Sequence, residues 1–360
     1  MIVNKLRNTV VAVAATVLFI ATLSCGTRAQ GSSMAQPATT HSATSLQKDT
    51  KWAIVNVSDA FMRDEPRYGS ECVSQTRMGT LVQVLERKGY WARIKTPEPY
   101  EGWVNELALA PTRELSPEEQ KATKLYGATL APMTREQAEE YLRAPKAICT
   151  EDFPIPVFVK GPNVKLLQGN IVRLDKGGYD RESKMTGIIL PDGRKGSVLS
   201  GHIRPMKEWA AFKVDKPDSM LVNSIIATAK QFTGCPYMWG GMSPGHFDCS
   251  GLTGFCYFMN GILLPRDASQ QVKCGIEIPI DQMQAGDLVF FGDTSVGHVA
   301  LCIGDHKIIH ASQLVRINSL IPGEKDYYGR NILHVRRILG HLDEGELPAV
   351  YTKDSPAYFR

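Results

Sequence analysis

Between Trp52 and about Pro111 the chain advances in short runs of β-forming residues, AIVNV, LVQVL, YWARI and GWV, each stopped by a turn former such as Gly79, Gly89 or Gly102. Runs this short, rich in Val, Ile, Trp and Tyr and bounded by glycine, build small antiparallel sheets rather than long helices. The signature returns after residue 150 in FPIPVFV, GNIVRLD, TGIIL and KGSVL. GTLVQVL at 79 aligns with GNIVRLD at 169, and GWVN at 102 with GSVL at 196, at offsets of 90 and 94 residues. The two β regions, 51–111 and 151–209, therefore read as two copies of one small β-barrel module. Between them, 112–150 changes character: SPEEQ and TREQAEEYL open with a Ser or Thr followed by Glu or Gln, the start signal of a helix, and predict a helical connector.

From Ala210 to Arg360 the pattern is first α and then β. NSIIATAKQF (223–232) has apolar residues at helical spacing and stops at Gly234; a second apolar helix is expected from about Cys249 to Met259, with Gly261 just past it. GDLVFFG, HVALCIG and KIIHAS then read as strands, which makes this an α+β domain.

Charge narrows the function classes. The formal net charge is +4, but Lys5, Arg7 and Arg28 lie in the first 29 residues, where there is no acid, and the rest carries 38 basic against 37 acidic residues. Such balance excludes a surface that tracks nucleic acid phosphates. Residues 1–29 combine a basic start with an apolar run from Val10 to Leu23, too short for the roughly 20 residues of a bilayer-spanning helix. They predict a secretory signal peptide and no permanent transmembrane span, hence an exported protein of the periplasm or cell envelope. Two ends fit: TRA (27–29) as a small-x-small cleavage site, or LSC (23–25) as a lipoprotein site with Cys25 bearing the lipid. Residues 30–50, rich in Ser, Thr, Ala and Gln, read as a linker. Seven cysteines follow the leader, so at least one thiol is unpaired in the monomer expected here. There is no CxxC pair or Cys/His cluster, and neither a metal nor a cofactor is implied.

FDCSGL (247–252) places Cys249 at the start of the second helix, where the dipole and unpaired amides favour thiolate. A disulfide half or a small buried hydrophobe are the plainer alternatives, and Cys256, two turns further along the same face, reads as core packing. A nucleophilic cysteine needs a base. His41, His202, His334 and His341 have no neighbouring signature, and His246 lies on a Gly/Pro-rich loop without rigid support. His298 and His310 flank a hairpin. If Gly304, Asp305 and His306 form a three-residue loop, Ile303 faces Lys307, His298 faces Ser312 and His310 faces Ala300. Both imidazoles then share one side as diagonal neighbours about 7 to 8 Å apart at Cα, whereas a two-residue loop would separate them. His298 as base with its second ring nitrogen held by His310 follows the logic of a Cys-His-x triad.

Six stretches in order, PYMWGG (236–241), FDCSGL (247–252), LPRDASQQ (264–271), GDLVFFG (286–292), GHVALCIG (297–304) and IIHAS (308–312), make residues 220–340 resemble the NlpC-type cysteine peptidases of bacterial cell walls. The resemblance implies a papain-like domain with rearranged chain order, Cys249 as nucleophile, His298 as general base and His310 as the residue that orients it. The N-terminal part resembles the two bacterial SH3-like modules of that family's γ-D-glutamyl-L-diamino acid endopeptidases, also called dipeptidyl-peptidase VI. The expected fold class is thus α+β, a papain-like (NlpC-type) catalytic domain at 210–360 preceded by two SH3-like β-barrels. In that subgroup a short pocket recognises a free N-terminal L-alanine. By resemblance Tyr237, Trp239, Asp248 and Ser250 line it, Glu71 and Tyr100 come from the first module, and Ser269 is a further pocket residue. The implied partner is a peptidoglycan-derived peptide, L-Ala-γ-D-Glu joined to lysine or diaminopimelate. Two other functions remain open on sequence: a catalytically inactive binder of cell-wall peptides, and a peptidase or amidase acting on intact peptidoglycan.

Overall fold

The structure, a computed structural model, describes residues 50–214 and 218–360; the leader expected at 1–29 with Cys25, and all but the last residue of the 30–50 linker, lie outside the described residues. The first sheet contains β1 (Lys51–Val55), β2 (Asp59–Arg63), β3 (Cys72–Arg77), β4 (Leu81–Lys88), β5 (Trp91–Lys95), β6 (Glu101–Asn105) and β7 (Leu109–Ala110) in the order β3-β2-β6-β5-β4-β1-β7. Its interior is filled by Val55, Met62, Val82, Ile94, Val104 and Leu109, the inward residues of alternating strands. A short hairpin of β8 (Thr112–Glu114) and β9 (Ala128–Leu130) encloses α1 (Pro117–Thr123), and α2 (Arg135–Arg143) follows. Both helices begin in capping boxes, Ser116 with Glu119 and Thr134 with Gln137. Ala138, Tyr141 and Leu142 of α2 pack on Trp52, Ile54 and Leu81 of the first sheet.

The second sheet contains β10 (Lys146–Cys149), β11 (Ile155–Val159), β12 (Val164–Leu166), β13 (Ile171–Leu174), β14 (Met185–Ile189), β15 (Lys195–Leu199) and β16 (Ile203–Pro205). Its order, β12-β11-β15-β14-β13-β10-β16, is the first sheet's order strand for strand. It begins at Lys146, ahead of residue 151, because all four residues of β10 are buried and the strand shows no alternation to read. The two modules meet at equivalent turns. Gly79 has φ +80° and Gly169 φ +86°. A Cβ on Gly79 would lie 2.0 Å from the Ile171 carbonyl oxygen, and the Ile171 N–H donates to the Met78 carbonyl at 2.9 Å.

The third region opens with α3 (Met206–Val214) and α4 (Asp218–Gln231), then a ribbon of β17 (Met242–Ser243) and β18 (His246–Phe247). Next come α5 (Cys249–Phe258), β19 (Ile262–Leu263) and α6 (Ala268–Gln271). The third sheet takes β20 (Ile276–Glu277), β21 (Leu288–Gly292), β22 (Val296–Gly304), β23 (Lys307–Ser312), β24 (Leu314–Ser319) and β25 (Ile332–Arg337) in the order β20-β25-β21-β22-β23-β24. A last strand, β26 (Val350–Tyr351), pairs with β19. Helix α5 buries Leu252, Phe255 and Cys256 against Phe290, Val299, Leu301 and Ile309 of this sheet, so Cys256 is core. That packing holds the N-terminus of α5 against the start of β22.

The two glycine environments give a test of the module contact. Gly79→Ala is expected to cost at least about 3 kcal/mol, because strain at positive φ adds to a backbone clash. Gly89→Ala, at φ +59° with open space around its Cβ position, is expected to cost about 1 kcal/mol. Urea unfolding of the two variants checks the difference.

Candidate active site

Asp248 is the N-cap of α5, its backbone extended and its Oδ1 accepting from the Gly251 N–H at 2.6 Å. Its Oδ2 accepts from the Gly240 N–H at 2.9 Å, and the Asp248 N–H donates to the Gly241 carbonyl at 2.9 Å. The glycines permit this closeness. A Cβ at Gly251 would lie 1.9 Å from the Gly241 oxygen, and one at Gly240 would lie 2.5 Å from the Cys72 oxygen of the first module. The GG of PYMWGG and the G of FDCSGL thus bring the helix start, the preceding loop and β3 together.

Arg266 completes the arrangement, and no role was assigned to it on sequence. Its guanidinium donates to both Asp248 oxygens at 3.1 and 2.5 Å, to Ser250 Oγ at 3.1 Å and to Ser74 Oγ of the first module at 3.0 Å. The pair is buried, with side-chain exposures of 2% and 8%. Asp248, implied by resemblance to line the amine pocket, has both oxygens in hydrogen bonds to amides and Arg266, so it also caps the helix and neutralises that arginine. Ser250 is buried beside the same pair.

Cys249 follows the cap. Its sulfur accepts from the backbone N–H of Val299 and of Ser250, while burial, and then the Asp248 charge, push its pKa up to about 11. Burial therefore disfavours the thiolate that the placement at the helix start had suggested: with 8% of the residue exposed, desolvation outweighs the two amides. All seven described cysteines are free, so this sulfur is in no disulfide. No hydrogen bond joins it to an imidazole: the sulfur sits at Val299, one residue beyond His298. Such contacts often close only once substrate is bound. The N–H groups of Cys249 and Ser250 have no carbonyl or carboxylate acceptor among the described residues and lie at the positive end of α5.

The histidines form a chain. His298 Nε2 lies 2.7 Å from His310 Nδ1, and His310 Nε2 lies 2.9 Å from Asn318 Oδ1. Asn318 Nδ2 donates to the Asp326 carbonyl at 2.6 Å, which leaves its Oδ1 as acceptor. His310 must then carry its proton on Nε2 and accept on Nδ1, His298 must donate from Nε2, and His298 Nδ1 is left unprotonated. Tyr328 covers both rings, with centroids 5.7 and 4.5 Å away. Burial lowers the pKa of both histidines, more than Asn318 raises that of His310, so the resting pair is neutral.

The register count for the hairpin holds, but the turn differs. Leu301 pairs with Ile309 and Cys302 with Ile308, as a three-residue loop requires. The loop itself is Asp305 and His306, both at positive φ, closed by Gly304 and Lys307; a bulge beside Ile303 supplies the missing residue of offset. A second bulge, at Gly297, precedes His298, since Phe291 pairs with His298 but Gly292 with Val296. Bulges twist the strand and re-aim the next side chain.

The remaining residues implied by resemblance divide. Tyr237 is half-buried, and burial, then the nearby Cys249 and Asp248, raise its pKa to about 12. Tyr100 of the first module is raised to about 12 by burial, then by Asp267, with Asp248 and Glu71 adding to it against Arg266. The module thus brings Tyr100 to the Asp248–Arg266 pair and Glu71 to Tyr100. Asp267, not singled out beforehand, is half-buried and its pKa is pushed up by that burial. Trp239 is 60% exposed, and Ser269 is exposed on α6. Among the described residues no group of three or more His, Cys, Asp or Glu side chains is placed to hold a metal, and no helix is long and apolar enough to cross a membrane.

Comparison with known proteins supplies the family. A model of the NlpC/P60 family matches residues 234–337, and one of the bacterial SH3 domain matches 58–109. The chain is 30% identical over 274 residues to the dipeptidyl-peptidase 6 of Lysinibacillus sphaericus, spanning 74% of this chain and 91% of that protein. The chain belongs to the NlpC/P60 family. Over 281 residues, 74% of this chain and 75% of the relative, it is 29% identical to a γ-D-glutamyl-L-lysine dipeptidyl-peptidase of Bacillus cereus. The fold matches the crystal structure of a Bacillus cereus NlpC/P60 family protein with a TM-score of 0.62 at 22% identity, covering 80% of this chain and 99% of that one. This NlpC/P60 protein is a cysteine peptidase with an SH3-like β region upstream.

Two measurements test the neutral resting state. Alkylation of Cys249 by iodoacetamide, followed by peptide mass mapping, is expected to accelerate with pH through pH 9; a plateau between pH 5 and 8 would contradict it. Because the folded histidines take protons less readily than unfolded ones, stability should be full above pH 6.5 and fall as the pH drops toward 4, by up to about 1.4 kcal/mol per pH unit for each ring. Urea unfolding at pH 7, 6 and 5 reads that slope.

Proposed function

We propose that the protein hydrolyses the bond between γ-D-glutamate and lysine or diaminopimelate in peptidoglycan stem peptides that carry a free N-terminal L-alanine. The observation that carries this reading is the approach of Tyr100 of the first module to the Asp248–Arg266 pair beside Cys249, with Asp267 and Glu71 also near its phenol, which supports an acid-lined end to the site. The names of the two peptidase relatives agree. The carboxylates offered to the ammonium are those near the Tyr100 phenol, Asp267, Asp248 and Glu71, with Asp248 also paired to Arg266. A desolvated ammonium needs such a partner, and an acetylated amine would leave them unpaired.

In this scheme His298 Nδ1 takes the Cys249 proton as the sulfur attacks the glutamyl carbonyl, and the Nε2–H bond to His310 steadies the imidazolium. The Cys249 and Ser250 amides receive the oxyanion, with the Tyr237 hydroxyl beside them. The imidazolium returns its proton to the leaving amine, a thioester remains, and water attacks it with His298 again as base. Turnover consumes one water and restores the thiol. The protein acts as a monomer in the envelope, to which a leader at 1–29 would deliver it.

L-Ala-γ-D-Glu-L-Lys should be cleaved to L-Ala-D-Glu and lysine, and Cys249→Ala should lose at least about 10³-fold in kcat. The N-acetylated peptide should fall at least about 100-fold in kcat/KM, and Glu71→Gln should raise KM about tenfold. Mass-resolved product kinetics checks each; equal cleavage of free and acetylated peptide would refute the amine pocket.

A further inference from the structure

The segment 350–360 reaches a junction far from the sulfur. It is tied to the catalytic domain by the pairing of β26 with β19 and by the Thr352 N–H donating to the Gly261 carbonyl at 2.8 Å. From there Tyr358 is inserted to 2% exposure. Its ring lies 5.9 Å from that of Phe258 at the end of α5, and its phenol lies against Arg77 and Thr80 of the first module. Arg77 is itself 2% exposed, stacked 4.0 Å over Phe258, and its Nη2 donates to Glu98 Oε1 at 2.7 Å. Gly169 of the second module packs on the same spot, its Cβ position 3.2 Å from Arg77 Cδ and 3.3 Å from Phe255. First module, second module, catalytic helix and the 350–360 segment thus converge on one buried guanidinium.

What this junction holds is the turn that carries Tyr100. Glu98 lies within Thr96–Tyr100, a turn closed by the Thr96 N–H donating to the Tyr100 carbonyl at 2.9 Å. Glu98 also shares the lining of a small cavity with Ser250, Phe258 and Arg266. The turn is thus gripped at Glu98, two residues before the tyrosine that walls the site. A buried arginine with one carboxylate partner keeps its geometry only while the rest of its surroundings exclude water and alternative rotamers, and Phe258 and Tyr358 supply that enclosure.

We propose that Tyr358 is a positioning residue for the amine pocket: it encloses the Arg77–Glu98 pair, which fixes the Thr96–Tyr100 turn and so places Tyr100 over the site. The inference rests on the pocket described under the proposed function. Tyr358 touches neither substrate nor the reacting atoms, so its loss should act on binding and selectivity rather than on the chemical step.

The test compares kcat and KM of the full chain and of Tyr358→Ala on L-Ala-γ-D-Glu-L-Lys and its N-acetylated form, with enzyme normalised to titratable Cys249. Tyr358→Ala is expected to raise KM for the free peptide about tenfold, keep kcat within about threefold, and shrink the free-to-acetylated ratio of kcat/KM about tenfold. Tyr358→Phe, which retains the ring, should restore most of that ratio. Hydrogen exchange at the Thr96 amide, which closes the turn, should accelerate in the alanine variant. If Tyr358→Ala does not fold, the same ratio measured on Tyr358→Leu decides. A folded variant with a lowered melting temperature but an unchanged ratio overturns the positioning role while leaving the proposed function intact. A full-length protein that cleaves both peptides alike overturns the pocket and this inference together.

Discussion

The buried Asp248–Arg266 pair is the interaction on which the rest of the site depends. It caps the helix that begins with Cys249, receives the Gly240 amide of the preceding loop, and reaches Ser74 of the first module. Removing either partner would leave a charge with almost no water around it, a far larger penalty than the net worth of the pair. A single ion pair thereby couples the placement of Cys249 to the docking of the first module. The glycines of the loop and helix start are the backbone side of the same constraint, since no other residue allows these strands of chain to pass so closely.

Behind the cysteine, a second buried network sets the protonation state. Two imidazoles and a carboxamide in line have one internally consistent arrangement of protons, imposed from its far end by the Asp326 carbonyl through Asn318. Burial keeps both rings neutral and keeps the thiol protonated. The site is therefore poised rather than pre-ionised: in the proposed mechanism charge separation is deferred to the encounter with substrate, when the helix-start amides and His310 would offset it.

Much of this was legible in the sequence where local pattern carried it. The glycine-punctuated β runs announced both modules, and the repeat at Gly79 and Gly169 proved to be the same turn in two sheets with one strand order. Counting along the hairpin placed His298 and His310 on one side even though the turn has two residues, because the bulge beside Ile303 restores the parity. What pattern could not convey was tertiary. Asn318 lies on β24, which follows β23 with only Gln313, a non-glycine at φ +65°, between them, so nothing in LVRINS marked a new strand facing the histidines. Arg266 stood in a quoted motif without a role, because its partner is 18 residues away and its second contact is in another module. The thiolate expectation failed because a helix start is visible in sequence and its burial is not.

The central claim is that the buried chain from Asn318 to His298 leaves His298 Nδ1 unprotonated and ready for the sulfur. Nitrogen NMR of the imidazoles in selectively labelled, ligand-free protein at pH 7 tests it most directly. The account predicts neutral rings protonated at Nε2 for both His298 and His310, with the His310 signals shifting in Asn318→Leu. An imidazolium at His298, or a neutral ring protonated at Nδ1, would contradict it.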